Sequence, residues 1–110
     1  MEPLYTLKSC EFYPIQIVVN QRPESCFLII NRFDFILLEP SQTQNYLRLV
    51  DAYSIGSIRC IYRSKRTDKK IVVVITLAKE EYALEFLAED HENIVESLVL
   101  KKKTAPVPLE

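Results

Sequence analysis

Between residues 11 and 87 the apolar side chains come in short runs, and each run is closed by a proline, an asparagine or a knot of charge. No run is long enough for a buried helix. Valine, isoleucine, tyrosine and phenylalanine dominate them, which is the pattern of strands. Residues 71–77 are β-branched at nearly every position and form the clearest strand in the chain.

The other strands follow from the same spacing. Residues 11–19 carry Phe12, Ile15, Ile17 and Val19, and the segment 20–24 breaks that run. Residues 25–31 are almost wholly apolar, and a tight reversal near Asn31-Arg32 leads into 33–39. There Phe33, Phe35 and Leu37 share one face and Asp34, Ile36 and Leu38 the other. Residues 40–45 have turn chemistry, and Tyr46 to Val50 resumes the strand pattern. The stretch 51–56 is less regular, and the one glycine, Gly56, stands where a bulge or sharp bend would use its freedom at positive φ. In a fifth strand Ile58, Cys60 and Tyr62 alternate with Arg59, Ile61 and Arg63. Residues 64–70 read as a solvated hairpin loop, and a seventh strand places Tyr82, Leu84 and Phe86 on one face.

At Glu89-Asp90 the period changes. Asp90 can cap a helix, Glu92 lies in its first turn, and Ile94, Val95, Leu98 and Val99 form a stripe that ends at Lys101, Lys102 and Lys103. The acidic start and basic end suit the helix dipole. The expected fold is mainly β: a seven-stranded antiparallel bent barrel capped by one C-terminal helix.

With 110 residues, 48% of them hydrophobic and 26% charged, the chain suits one ordinary core. Residues 1–10 form an N-terminal extension, 11–103 the domain, and 104–110 a proline-containing tail, a linker or cloning scar, that stands outside the fold. A single glycine excludes glycine-rich phosphate loops. A formal charge of −1 argues against nucleic acid as a partner. Cys10, Cys26 and Cys60 are odd in number and sit in apolar runs, as reduced thiols do; Cys26 and Cys60 would pair only from neighbouring strands. The N-terminus lacks the basic and apolar regions of a secretory signal, and no run approaches a membrane span. A cytoplasmic monomer is expected.

The element order resembles the pleckstrin-homology-like superfold shared by PH, PTB, GRAM and FERM third-lobe domains, in which the helix plugs one end of a bent barrel. Phe35-Ile36-Leu37-Leu38, then Leu47-Arg48-Leu49 and residues 53–58, are similar to the middle of these domains. Residues 70–88 followed by Asp90 to Val95 are similar to their aromatic strand, acidic turn and closing helix. The resemblance spans residues 11–103, and its C-terminal half is similar to PH-like modules in large trafficking and cytoskeletal proteins. The resemblance implies a non-catalytic interaction module without a cofactor.

Phosphoinositide-binding PH domains carry a lysine and an Arg-x-Arg over the first two strands. Here that loop offers only Arg22, opposed by Glu24. The remaining cations form two groups, Lys101 to Lys103 and a hairpin set of Arg63, Lys65, Arg66, Lys69 and Lys70. The hairpin set is the candidate contact for anionic lipid, although charged hairpin tips are ordinarily just solvated. The single histidine, His91, has no partners at metal-ligand spacing, and the acidic residues 80–92 flank an exposed turn and a helix start. PTB-like and FERM-like relatives add an extended peptide beside strand five, against the helix. The resemblance puts that groove at Ile58, Cys60, Tyr62, Ile94 and Leu98. The leading expectation is a peptide or protein partner, with anionic phospholipid as the alternative.

Overall fold

Asn20 and Gln21 have φ of 51° and 65°, the left-handed pair of a two-residue hairpin turn. Strand β1 (Glu11–Val19) therefore folds straight back on β2 (Arg22–Ile30), with Val19 opposite Arg22 and Glu11 opposite Ile30. Arg22, Pro23 and Glu24, expected in a loop, belong to β2. Pro23 is tolerated there because the third strand, Asp34–Pro40, pairs with β2 only from Phe27 onward. The structure is a computed structural model that describes residues 11–40, 47–64 and 69–103 and the backbone of 107–109. Residues 1–10, Tyr46, the tip 65–68 and the start of the tail lie outside the described residues.

Strands β3 (Asp34–Pro40) and β4 (Leu47–Ser54) continue the antiparallel order. Leu37 faces Asp51 and Leu38 faces Leu49, so Val50 is an extra residue that bends β4. A single 3-10 turn, Ile55–Ser57, then leads into β5 (Ile58–Ser64). Gly56 is in that turn at negative φ, contrary to the expectation, and its N–H donates to Ser54 Oγ at 3.0 Å. A Cβ there would lie 3.3 Å from the same oxygen. Among the described residues the positive φ angles are carried by other residue types: Asn20, Gln21, Lys69, Ala78, Lys79 and Lys103.

Strands β6 (Lys70–Leu77) and β7 (Glu80–Leu87) form a hairpin through Ala78 and Lys79, and β7 meets β1 only at Gln16 and Ile17. With residues 107–109 as β8, the sheet order is β4-β3-β2-β1-β7-β6-β5-β8, with β1 to β7 antiparallel. It is bent over its core, and its hydrogen-bond ladder is not closed among the described residues. β8 is Val107–Leu109, part of the tail expected to stand apart. It pairs in parallel with β5, Tyr62 opposite Val107 and Ser64 opposite Leu109. A proline in the middle of so short a segment is acceptable on an edge strand.

The core draws Ile15, Leu28, Ile30, Phe35, Leu37, Ile61, Ile71, Val73, Ile75 and Phe86 from the sheet and Ile94, Val95 and Leu98 from the helix α1 (His91–Lys102). Phe33, expected to share a strand face with Phe35, instead precedes β3 and is 74% exposed. Ile36, on the opposite face from Phe35 and Leu37, is 4% exposed, yet it stands outside the main core. It pairs with Ile29 across β2 and β3 on the outer surface, where Phe12 and Phe27 also stack with ring centroids 4.9 Å apart.

The Glu11 carboxylate holds the helix to β1 through two helix side chains and is braced by a third donor on its own strand. Ser97 Oγ donates to Glu11 Oε2 at 2.6 Å, Lys101 Nζ donates to the same oxygen at 2.7 Å, and the Tyr13 hydroxyl donates to Glu11 Oε1 at 2.6 Å. Partial burial pushes the Glu11 carboxyl up, but the three donors outweigh it, so the group titrates below its ordinary range. Asp90 occupies the N-cap position without a side-chain capping bond, and Lys103 closes the helix in the left-handed conformation, its N–H donating to Val99 O at 2.7 Å.

Candidate interaction site

Strand β5 was expected to present Ile58, Cys60 and Tyr62 on one face. Pairing changes that order. Ile58 faces Ile75 and Cys60 faces Val74, so Arg59 is bulged out and the inward position moves from Ile58 to Ile61. Ile58 is 2% exposed and Ile61 wholly buried, while Cys60 and Tyr62 are half-buried on the outer side. Ile94 and Leu98 are also wholly buried in the core. Of the five groove residues, the structure thus brings Ile58, Ile94 and Leu98 together as core and leaves Cys60 and Tyr62 on the outer side of the strand. The side chain of Cys60 hydrogen-bonds the Tyr62 hydroxyl and thereby raises its pKa.

The β5 edge is not bare. Its outer side carries β8, so the ladder runs from β6 through β5 to the chain's own tail. The sequence held no sign of this, because main-chain pairing asks little of side chains.

The basic hairpin is partly neutralised. Lys70 forms an ion pair with Glu85 at 2.5 Å, and Lys69 forms one with Glu89. The Lys69 ammonium, by hydrogen bond and charge, holds the Glu89 carboxyl below its ordinary range. Arg63 is exposed, and Lys65 and Arg66 lie outside the described residues. The acidic residues of β7 take part in similar pairings, with Arg59 Nε 3.2 Å from Glu81 Oε1 and the Tyr82 hydroxyl donating to Glu80 at 2.8 Å.

Burial pushes the Cys26 thiol up to about 11, which keeps it protonated near neutrality, and it is 4% exposed. Cys26 and Cys60 are free, and three strands separate β2 from β5, which rules out the neighbouring-strand pairing. No group of three or more metal-ligating side chains forms among the described residues. No helix among them is long and apolar enough to cross a membrane.

No family model matches the sequence, and no curated protein matches it. Solved structures do match. The DH/PH domains of p115-RhoGEF superpose at a TM-score of 0.70 with 14% identity, over 96% of this chain and 34% of that one. The chain thus spans about a third of that two-domain structure. The Slm1-PH domain in complex with phosphoserine gives 0.69 at 10% identity over 86% of this chain and 95% of that one. The hSac2 domain of human phosphoinositide phosphatase Sac2 gives 0.67 at 10% identity, covering 90% and 73%. At such identities the likeness carries the fold alone. The bent antiparallel sheet, its closing helix and these superpositions show that the chain has the pleckstrin-homology-like fold, with no subfamily identified.

Proposed function

We propose that the protein is a non-catalytic interaction module that receives an extended segment of a protein partner along β5. One observation carries the reading: β5 takes residues 107–109 as an added strand on its outer edge. An edge that satisfies its N–H and C=O groups with one extended segment can do so with another, because the bonds are main-chain. Cys60 and Tyr62, the half-buried outer residues of β5, supply the side-chain contacts. The PDZ-RhoGEF DH/PH domains, solved with activated RhoA, are a neighbour of the same fold in a protein complex.

On this reading the tail and the partner compete for one edge. The test uses a chain ending at Lys103, which keeps every residue of the main core, and a synthetic peptide of residues 104–110. Amide shifts confined to β5 and its neighbours, saturating at up to about 5 mM peptide, are expected for so short a segment. Absence of shifts on residues 60–64 across that range would overturn edge addition.

A further inference from the structure

A second surface lies at the end of the molecule where the helix finishes. Arg32, Lys101, Lys102 and Lys103 line one cleft of ≈ 680 Å³ together with Phe33 and Gly56, and no carboxylate lines it. The lysines by themselves answer the negative end of the helix dipole. Arg32 does not belong to the helix. It comes from the β2–β3 reversal, and only the folded chain brings it to the lysines.

The cluster keeps much of its charge. Glu11 pairs with Lys101, and Lys102 Nζ donates to the neutral carbonyl of Gly56 at 3.2 Å. Arg32 and Lys103 are exposed, and the Arg32 guanidinium lies 5.3 Å from the centroid of the Phe33 ring. Phe33 at 74% and Leu100 at 68% are the two most exposed large apolar side chains among the described residues. Phe33 lines the cleft, whereas Leu100 lines a neighbouring one with Glu11 and Glu96. In water an aromatic ring so exposed is unfavourably hydrated. At a bilayer surface the cations meet phosphate oxygens, while the aromatic side chain enters the boundary between headgroups and acyl chains.

We propose that this end of the molecule docks on an anionic lipid bilayer, with Arg32, Lys102 and Lys103 at headgroup level and Phe33 inserted. The occupant is a charged membrane surface, because charge and a protruding aromatic ring occur together here and a free anion uses only the first. The contact differs in place from the hairpin of residues 63–70. It also differs from the β1–β2 turn, which lies beyond the far end of β2, nine residues and about 30 Å away. It is independent of the β5 edge.

The test is sedimentation of the full chain with vesicles of phosphatidylcholine alone and with about 30 mol% phosphatidylserine, at low and high salt. Binding is expected only to the anionic vesicles and is expected to weaken with salt. Arg32→Glu with Lys103→Asn, an exposed pair in which asparagine suits the left-handed Lys103 position, should lower partitioning at least about tenfold. Phe33→Ser, which changes no charge, should lower it by about fivefold or more. Arg63→Glu on the hairpin should leave it within about twofold. No preference for anionic vesicles overturns the proposal, as does loss through Arg63→Glu alone. Insensitivity to Phe33→Ser, displacement by soluble glycerophosphoserine, or binding of polyglutamate in place of vesicles would overturn it in favour of a soluble anion or an acidic protein.

Discussion

Glu11 shows how one side chain can join distant parts of a sequence. Its carboxylate accepts from Tyr13 beside it and from Ser97 and Lys101 on the helix. Its depressed pKa means that the folded state favours the ionised form. The stabilisation is present above the unfolded value near 4.5 and is lost as pH falls through the lower folded value. Glu11→Gln should therefore flatten the acid limb of stability between about pH 6 and about pH 3, as read by urea unfolding at each pH. An unchanged acid limb would refute the clip. Ser97→Ala should cost about 1 kcal/mol at neutral pH. Strand periodicity sets Glu11 only at the start of the first strand, and nothing in the sequence marks Ser97 as its partner. Their partnership depends on a contact 86 residues apart in the chain.

At the scale of elements, the turns carry most of the departures from the sequence reading. Ala78 and Lys79 adopt φ of 51° and 69° in the β6–β7 reversal, a conformation that asparagine and glycine enter with far less strain. Ala78→Asn with Lys79→Gly should raise stability by about 1–2 kcal/mol and the thermal midpoint by roughly 4–8 °C. A scan showing no rise would mean that the turn does not hold this geometry. The strands themselves were legible. β1 begins and ends at the expected residues, and β6 and the helix follow their patterns closely. The bulges at Val50 and Arg59 were not, because an extra residue shows only when the opposite strand is in place. The Arg59 bulge is what turned Ile58 into a core residue and left Cys60 and Tyr62 outside.

For the whole molecule, one core couples the sheet to the helix. Leu98 is wholly buried among residues of both, so Leu98→Ala should cost about 2–5 kcal/mol. Far-ultraviolet circular dichroism and tyrosine fluorescence should then lose sheet, helix and packing in one transition. Separate melting of the helix would contradict a shared core. The two proposed surfaces also belong to this scale. The β5 edge exists because the sheet stays open past β5 and the tail returns to it. The basic cleft exists because the fold brings the β2–β3 reversal to the end of the helix.

Periodicity, β-branching and turn residues together determined the element order, the helix limits and, by resemblance, the fold. These signals are local, and each residue's share is readable from its neighbours. Tertiary structure alone decided which cations are already paired, which of the expected groove residues are core, and that Arg32 joins Lys101 to Lys103. Charge and exposure at a surface depend on what stands opposite in space, and sequence separation carries no measure of that distance.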